Sequence, residues 1–285
     1  MPTLSLDDGD LWYDTAGDGP PIVFVHGGWQ SSDAWAPQVE RFAPEYRVVT
    51  LDVRGHGDTV ASGTRQYSIE LFADDLEALL DHLGIERPIL CGLSLGAMVV
   101  QEYLSRHPDR AAGAVIAGPV RSMPPIDLPA GTKRLLTPVP AVASSLALLG
   151  PSATFRTMLA SIRASTGRPW LADDPAVRSR AIDAVGDVSR EEYLGIFRAL
   201  YEYVAPDLAG VETPTVVVYG EHEAPLVKRQ GRQLAAAVQR GSVTEIPDAA
   251  HLVNEDNPEA FNAAVAQFLA EIRNAGAIAE GVPGR

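Results

Sequence analysis

The chain has 285 residues, 46% hydrophobic and 21% charged, which suits an ordinary globular protein able to bury a sizeable core. Its net charge of −14 weighs against nucleic acid and anionic membrane surfaces as partners. One cysteine, Cys91, excludes an internal disulfide framework; the acidic N-terminus MPTLSLDDGD lacks the basic and apolar regions of a signal peptide; and no apolar run reaches the ~18 residues that cross a bilayer. A cytoplasmic protein with no membrane partner is expected.

In chain order, short β-branched runs alternate with amphipathic stretches. PIVFV (21–25) and YRVVTLD (46–52) read as strands. Residues 68–83 read as a helix capped by Ser68, with Ile69, Phe72, Leu76, Leu79, Leu80 and Leu83 at helical spacing. PILCG (88–92) and GAVIAG (113–118) are further strands, as are PTVVVYG (214–220) and SVTEI (242–246). Helices are predicted over 227–240 and 257–273, the latter capped by Asn257 with Pro258 in its first turn. Most of the strands are apolar without alternation, as expected when both faces are covered. The pattern predicts an α/β fold, a mostly parallel central sheet with helices on both faces.

The alternation breaks once. Residues 120–208 hold many prolines and no convincing strand, while ATFRTMLASIRAS and REEYLGIFRALYEYV look helical. The expected organisation is a core formed by 1–119 and 209–285 with an inserted helical cap over 120–208. In open α/β sheets ligands bind at the C-terminal edge of the strands, which makes a lid the preferred reading of the insertion. The apolar cap residues Phe155, Met158, Leu159, Phe197, Leu200 and Tyr201 fall at helical spacing and are expected in the core more readily than in a pocket.

The most informative stretch is CGLSLGAMVV (91–100), a G-x-S-x-G sequence between a strand and a helix. A sharp turn there would lift the Ser94 hydroxyl clear of the sheet edge. Gly92 and Gly96 would remove Cβ atoms that collide with neighbouring backbone. With HGGW (26–29), DVRGHGDT (52–59), YGEHE (219–223) and PDAAH (247–251) in order around it, the chain resembles the α/β-hydrolase superfamily over nearly its whole length. Asp58 and Thr59 stand where that family commonly has its serine, a small departure.

A serine hydroxyl needs a base within hydrogen-bond reach and a carboxylate to orient that base. The resemblance implies Ser94 as nucleophile, His251 as base and Glu223 as acid, with glutamate where the family commonly has aspartate. Glu221 is the rival acid, and Asp248 fits turn geometry better than a triad. His82 and His107 are expected to be structural, His26 and His56 to hold loops, and His222 to face solvent. Backbone N–H groups of Gly28 and Leu95 are the implied oxyanion donors, and Trp29 and Trp35 are candidates for the pocket rim. No H-E-x-x-H, cysteine pair or dinucleotide-binding glycine loop is present in the sequence, so no cofactor and no metal are expected. The reading is a serine hydrolase of a small carboxylic ester or lactone. A cofactor-free haloperoxidase-type or C–C bond hydrolase of the same fold, and a non-catalytic receptor derived from it, are the alternatives.

Overall fold

A computed structural model describes residues 2–61, 66–123 and 137–277. Its strands are β1 (Thr3–Leu6), β2 (Gly9–Ala16), β3 (Pro21–Val25), β4 (Arg47–Leu51), β5 (Val60–Ala61), β6 (Ile89–Leu93), β7 (Gly113–Ala117), β8 (Thr215–Gly220) and β9 (Gly241–Ile246). They form one sheet in the order β1-β2-β4-β3-β6-β7-β8-β9, with β5 also paired to β2. Pairings from β4 through β9 are parallel; β2 runs antiparallel to β1, β4 and β5.

Every residue of β6, β7 and β8 is buried, as are four of five in β3 and β4. Successive strand side chains point to opposite faces, so unbroken burial means that both faces are covered. The helices doing so are α1 (Ala36–Phe42), α2 (Ile69–His82), α3 (Leu95–Arg106), α8 (Pro225–Ala237) and, after the short α9 (Val253–Asp256), α10 (Pro258–Asn274). Helix α3 contacts β3, β6 and β7, α8 contacts β8 and β9, and α10 reaches β7 and β9.

The helix ends follow local chemistry. The Ser68 hydroxyl accepts the Leu71 N–H, and the Asn257 side chain accepts that of Ala260, next to Pro258 in the first turn. Helix α8 begins two residues before its predicted start because Pro225 fits a first turn, where no N–H is needed. The hairpin β1–β2, absent from the sequence reading, lies at the sheet edge. All but two of its residues are exposed or half-exposed, so it carries aspartates and lacks a continuous apolar run.

Between β7 and β8 lie α4 (Val139–Leu149), α5 (Pro151–Thr166), α6 (Pro175–Ala184) and α7 (Arg190–Glu202), and no strand among the described residues. Helix α7 opens with a reciprocal capping box between Ser189 and Glu192. These helices pack on one another, α4 against α5 and α7, and α5 against α6. The start of this segment, 124–136, and the tail beyond 277 lie outside the described residues. Among the described residues no helix is long and apolar enough to cross a membrane.

Candidate active site

Strand β6 ends at Leu93 and α3 starts at Leu95, so a single residue makes the whole turn. That residue, Ser94, takes φ 54° and ψ −106°, a left-handed backbone that L-residues seldom adopt. Its N–H is held by Ala117 O at 2.9 Å. A Cβ on Gly92 would lie 2.2 Å from Gly96 O, and one on Gly96 would lie 2.1 Å from Val25 O. Both glycines are therefore required by backbone contact, and the serine hydroxyl is what the turn presents.

The loop after β8 turns sharply, with Glu223 N–H donating to Gly220 O at 3.1 Å. This carries the Glu223 side chain to the loop after β9, where Oε2 accepts from His251 Nδ1 at 2.6 Å. His251 Nε2 faces Ser94 Oγ at 3.0 Å. Because Nδ1 must hold the proton to donate to a carboxylate, Nε2 is the acceptor for the hydroxyl. The row Glu223–His251–Ser94 is buried at its carboxylate end and opens at the serine. Glu221 lies elsewhere, its carboxylate accepting the Asp248 N–H at 3.3 Å. Asp248 sits in a turn at φ 50°. His222 pairs with Asp173 rather than facing open solvent.

Gly28 lies beside the start of α3: a Cβ there would be 3.8 Å from Leu95 Cβ. Leu95 is the first residue of α3, where the helix supplies no acceptor for the N–H. The loop 26–29 is fixed by two fully buried imidazoles. His26 Nε2 accepts the Val53 N–H at 3.0 Å, and its Nδ1 donates to Gly27 O. His56 Nε2 accepts the Trp29 N–H at 2.8 Å, and its Nδ1 faces Val53 O and Arg54 O. Burial holds His26 down to about 4, opposed by its bond to Gly27; His56 falls to about 3 through burial and the nearby His26. Each ring is thus neutral, with Nε2 free of its proton.

The serine opens into a cavity of about 1060 Å³. Its floor includes Gly28, Trp29 and Met98, and its roof comes from α4, α5 and α7. One expectation changes here. Trp35 is not at the rim: it is fully buried in the core, with ring centroids 4.8 Å from Phe24 and 6.0 Å from Phe261. Trp29 does line the cavity, stacked on Tyr193 at 4.7 Å. Phe155, Phe197, Leu200 and Tyr201 are buried in the core as expected, with Met158 and Leu159 packed against it, and all of these except Leu159 also line the cavity.

Sequence reasoning missed Trp170. Its indole stacks on His251, centroids 4.2 Å apart at 29°, and its Nε1–H donates to Glu223 Oε1 at 2.7 Å. The signal was a lone tryptophan in a proline- and glycine-containing loop, GRPWLADD, where no helix needs it.

The family described as alpha/beta hydrolase fold matches residues 20–258. The chain is 26% identical to 3-oxoadipate enol-lactonase 2 of Acinetobacter baylyi, over 92% of this chain and 94% of that protein. It is 24% identical to the carboxylesterase YbfK of Bacillus subtilis, over 88% of this chain and 81% of that one. The crystal structure of the enol-lactonase from Burkholderia xenovorans LB400 superposes with a TM-score of 0.77 at 26% identity, covering 94% of this chain and all of that one.

Proposed function

The chain is a hydrolase belonging to the α/β hydrolase fold family, and we propose that it cleaves a small carboxylic ester or lactone through an acyl-enzyme on Ser94. The observation that carries this reading is the continuous hydrogen-bonded row Glu223–His251–Ser94 with its hydroxyl end in the cavity. Its enol-lactonase and carboxylesterase relatives support the same substrate class.

In the proposed reaction Ser94 Oγ attacks the acyl carbon while His251 Nε2 takes the hydroxyl proton. Glu223 holds the imidazole by Nδ1 and balances the imidazolium charge. The backbone N–H groups of Gly28 and Leu95 receive the oxyanion; one such donor is commonly worth about 3 kcal/mol of barrier. His251 returns the proton to the leaving alcohol as the C–O bond breaks. Water, deprotonated by the same imidazole, then releases the acid. For a lactone the alcohol stays tethered and the product is one hydroxy acid. Helices α4–α7, within 120–208, act as the cap, and the apolar cavity beneath them takes the acyl chain.

The test is turnover of p-nitrophenyl acetate and butyrate by the wild type and Ser94→Ala, with fluorophosphonate labelling. Loss of at least about 10³-fold in the variant, with the label at Ser94 in the wild type, is expected. Equal turnover by both proteins would end the reading.

A further inference from the structure

We propose that Trp170 is a positioning residue of this site: an indole delivered by the cap that fixes the carboxylate plane of Glu223 and the ring plane of His251 together. This role rests on the Ser94–His251–Glu223 reading above.

The need arises at Glu223. Its side chain is fully buried. Its Oε1 accepts the Ala224 N–H at 2.7 Å and the Trp170 Nε1–H at 2.7 Å, leaving Oε2 to His251 at 2.6 Å. A buried carboxylate requires such donors, and bonds to an ionised acceptor are stronger than neutral ones. The terminal carboxylate torsion of glutamate is soft, so it does not orient itself. Glutamate also reaches one methylene further than aspartate, with one more torsion to hold. Two donors on Oε1 pin the plane so that Oε2 meets Nδ1. The same indole covers the imidazole at 4.2 Å, which restrains the ring from tilting away from Ser94. An aromatic face also favours the imidazolium that forms during attack.

Trp170 is itself held by backbone. Its carbonyl accepts the His251 N–H at 3.1 Å, and Leu171 O accepts the Leu252 N–H at 2.9 Å. Next along, the Asp256 carboxylate accepts the N–H groups of Ala250, Asp173 and Asp174 at 2.8, 2.9 and 3.0 Å. Residues 170–174 thus run locked against the loop that bears the base. The indole keeps one relation to the imidazole, and the cap is a structural part of the catalytic row as well as a cover.

The experiment uses p-nitrophenyl acetate, whose short acyl group fills little of the cavity, with Trp170→Phe, Trp170→Leu, Glu223→Gln and the Phe/Gln double variant. Phe keeps the stacked ring and removes the N–H. The kcat of Trp170→Phe falls about tenfold with KM within about twofold, and Trp170→Leu falls further. In the Glu223→Gln background, where no carboxylate charge needs orienting, Trp170→Phe changes kcat by about twofold or less. Wild-type kcat in Trp170→Phe, or the same factor in both backgrounds, would overturn the proposal, because a general packing role gives additive losses. Failure of the serine-hydrolase reading looks different: the wild type would take no phosphonate label, or Ser94→Ala would retain turnover.

Discussion

His56 offers a measurable link between the loop 26–29 and pH. Its neutral ring accepts the Trp29 N–H at Nε2, so a proton there would set two N–H groups against each other. The folded pKa of about 3 lies below the ordinary 6.5, chiefly through burial. The unfolded chain therefore binds a proton that the folded chain refuses, and stability present above 6.5 is lost as pH falls toward 3. At pH 5.0 an unfolded histidine is almost wholly protonated, which favours unfolding by about 2 kcal/mol for each such ring; at pH 7.5 the effect is close to zero. His26, held at about 4, adds a similar amount, so the pair removes about 4 kcal/mol of a total that is typically 5–15. Burial pushes the carboxyls of Asp75, Glu255 and Asp256 up, which acts in the opposite direction on acidification. The wild-type curve alone is thus a mixture, and a difference between proteins isolates the ring. His56→Gln keeps an acceptor for Trp29 without the titration. Urea unfolding followed by tryptophan fluorescence at pH 7.5 and 5.0 should show the variant losing about 2 kcal/mol less than the wild type between those values. Equal losses in the two proteins would refute the reasoning, whatever their absolute stabilities.

Two further outcomes follow from the site's walls. Gly118 sits at φ +52°, and a Cβ there would lie 3.0 Å from His251 Cε1, so Gly118→Ala presses on the proposed base. Its kcat should fall about tenfold or more, with only about 1–2 kcal/mol of lost stability, checked by acetate turnover and urea unfolding. Met158 lines the cavity from α5, and Met158→Trp should cut kcat/KM for an octanoate ester about tenfold while sparing acetate. An unchanged chain-length profile would mean that acyl chains do not lie under α5.

How much of this was legible in the sequence depends on the range over which each feature is determined. The elbow was legible because Gly92, Ser94 and Gly96 sit within five residues, although only Gly92 answers to the turn's own backbone and Gly96 answers to Val25 O on β3. The parallel strands were legible because burial on both faces leaves unbroken apolar runs. The hairpin β1–β2 was not, because an edge strand keeps water on part of its surface and so reads as polar loop. Phe155 and Leu200, buried as their periodicity implies and also facing the cavity, show what helical periodicity leaves open. An apolar stripe states that a face turns from water, and the same stripe serves a packed neighbour or a cavity wall. Trp35 is the converse: an aromatic near the HGGW loop that packs on Phe24 and on Phe261, far away in sequence. The resemblance put Glu223 ahead of Glu221, but the physical reason, a reversal at Gly220 that leaves one facing Asp248 and the other His251, is not encoded in composition. Trp170 lies at the limit of this reasoning. Its partner Glu223 is 53 residues further along, and only the closure of 170–174 onto the loop at 251 brings an indole from a proline-containing loop to the hydrogen-bonded row. A residue set by contacts of that range is invisible to pattern. It becomes visible through the one property that the sequence does announce: a bulky amphipathic side chain placed where no local element has use for it.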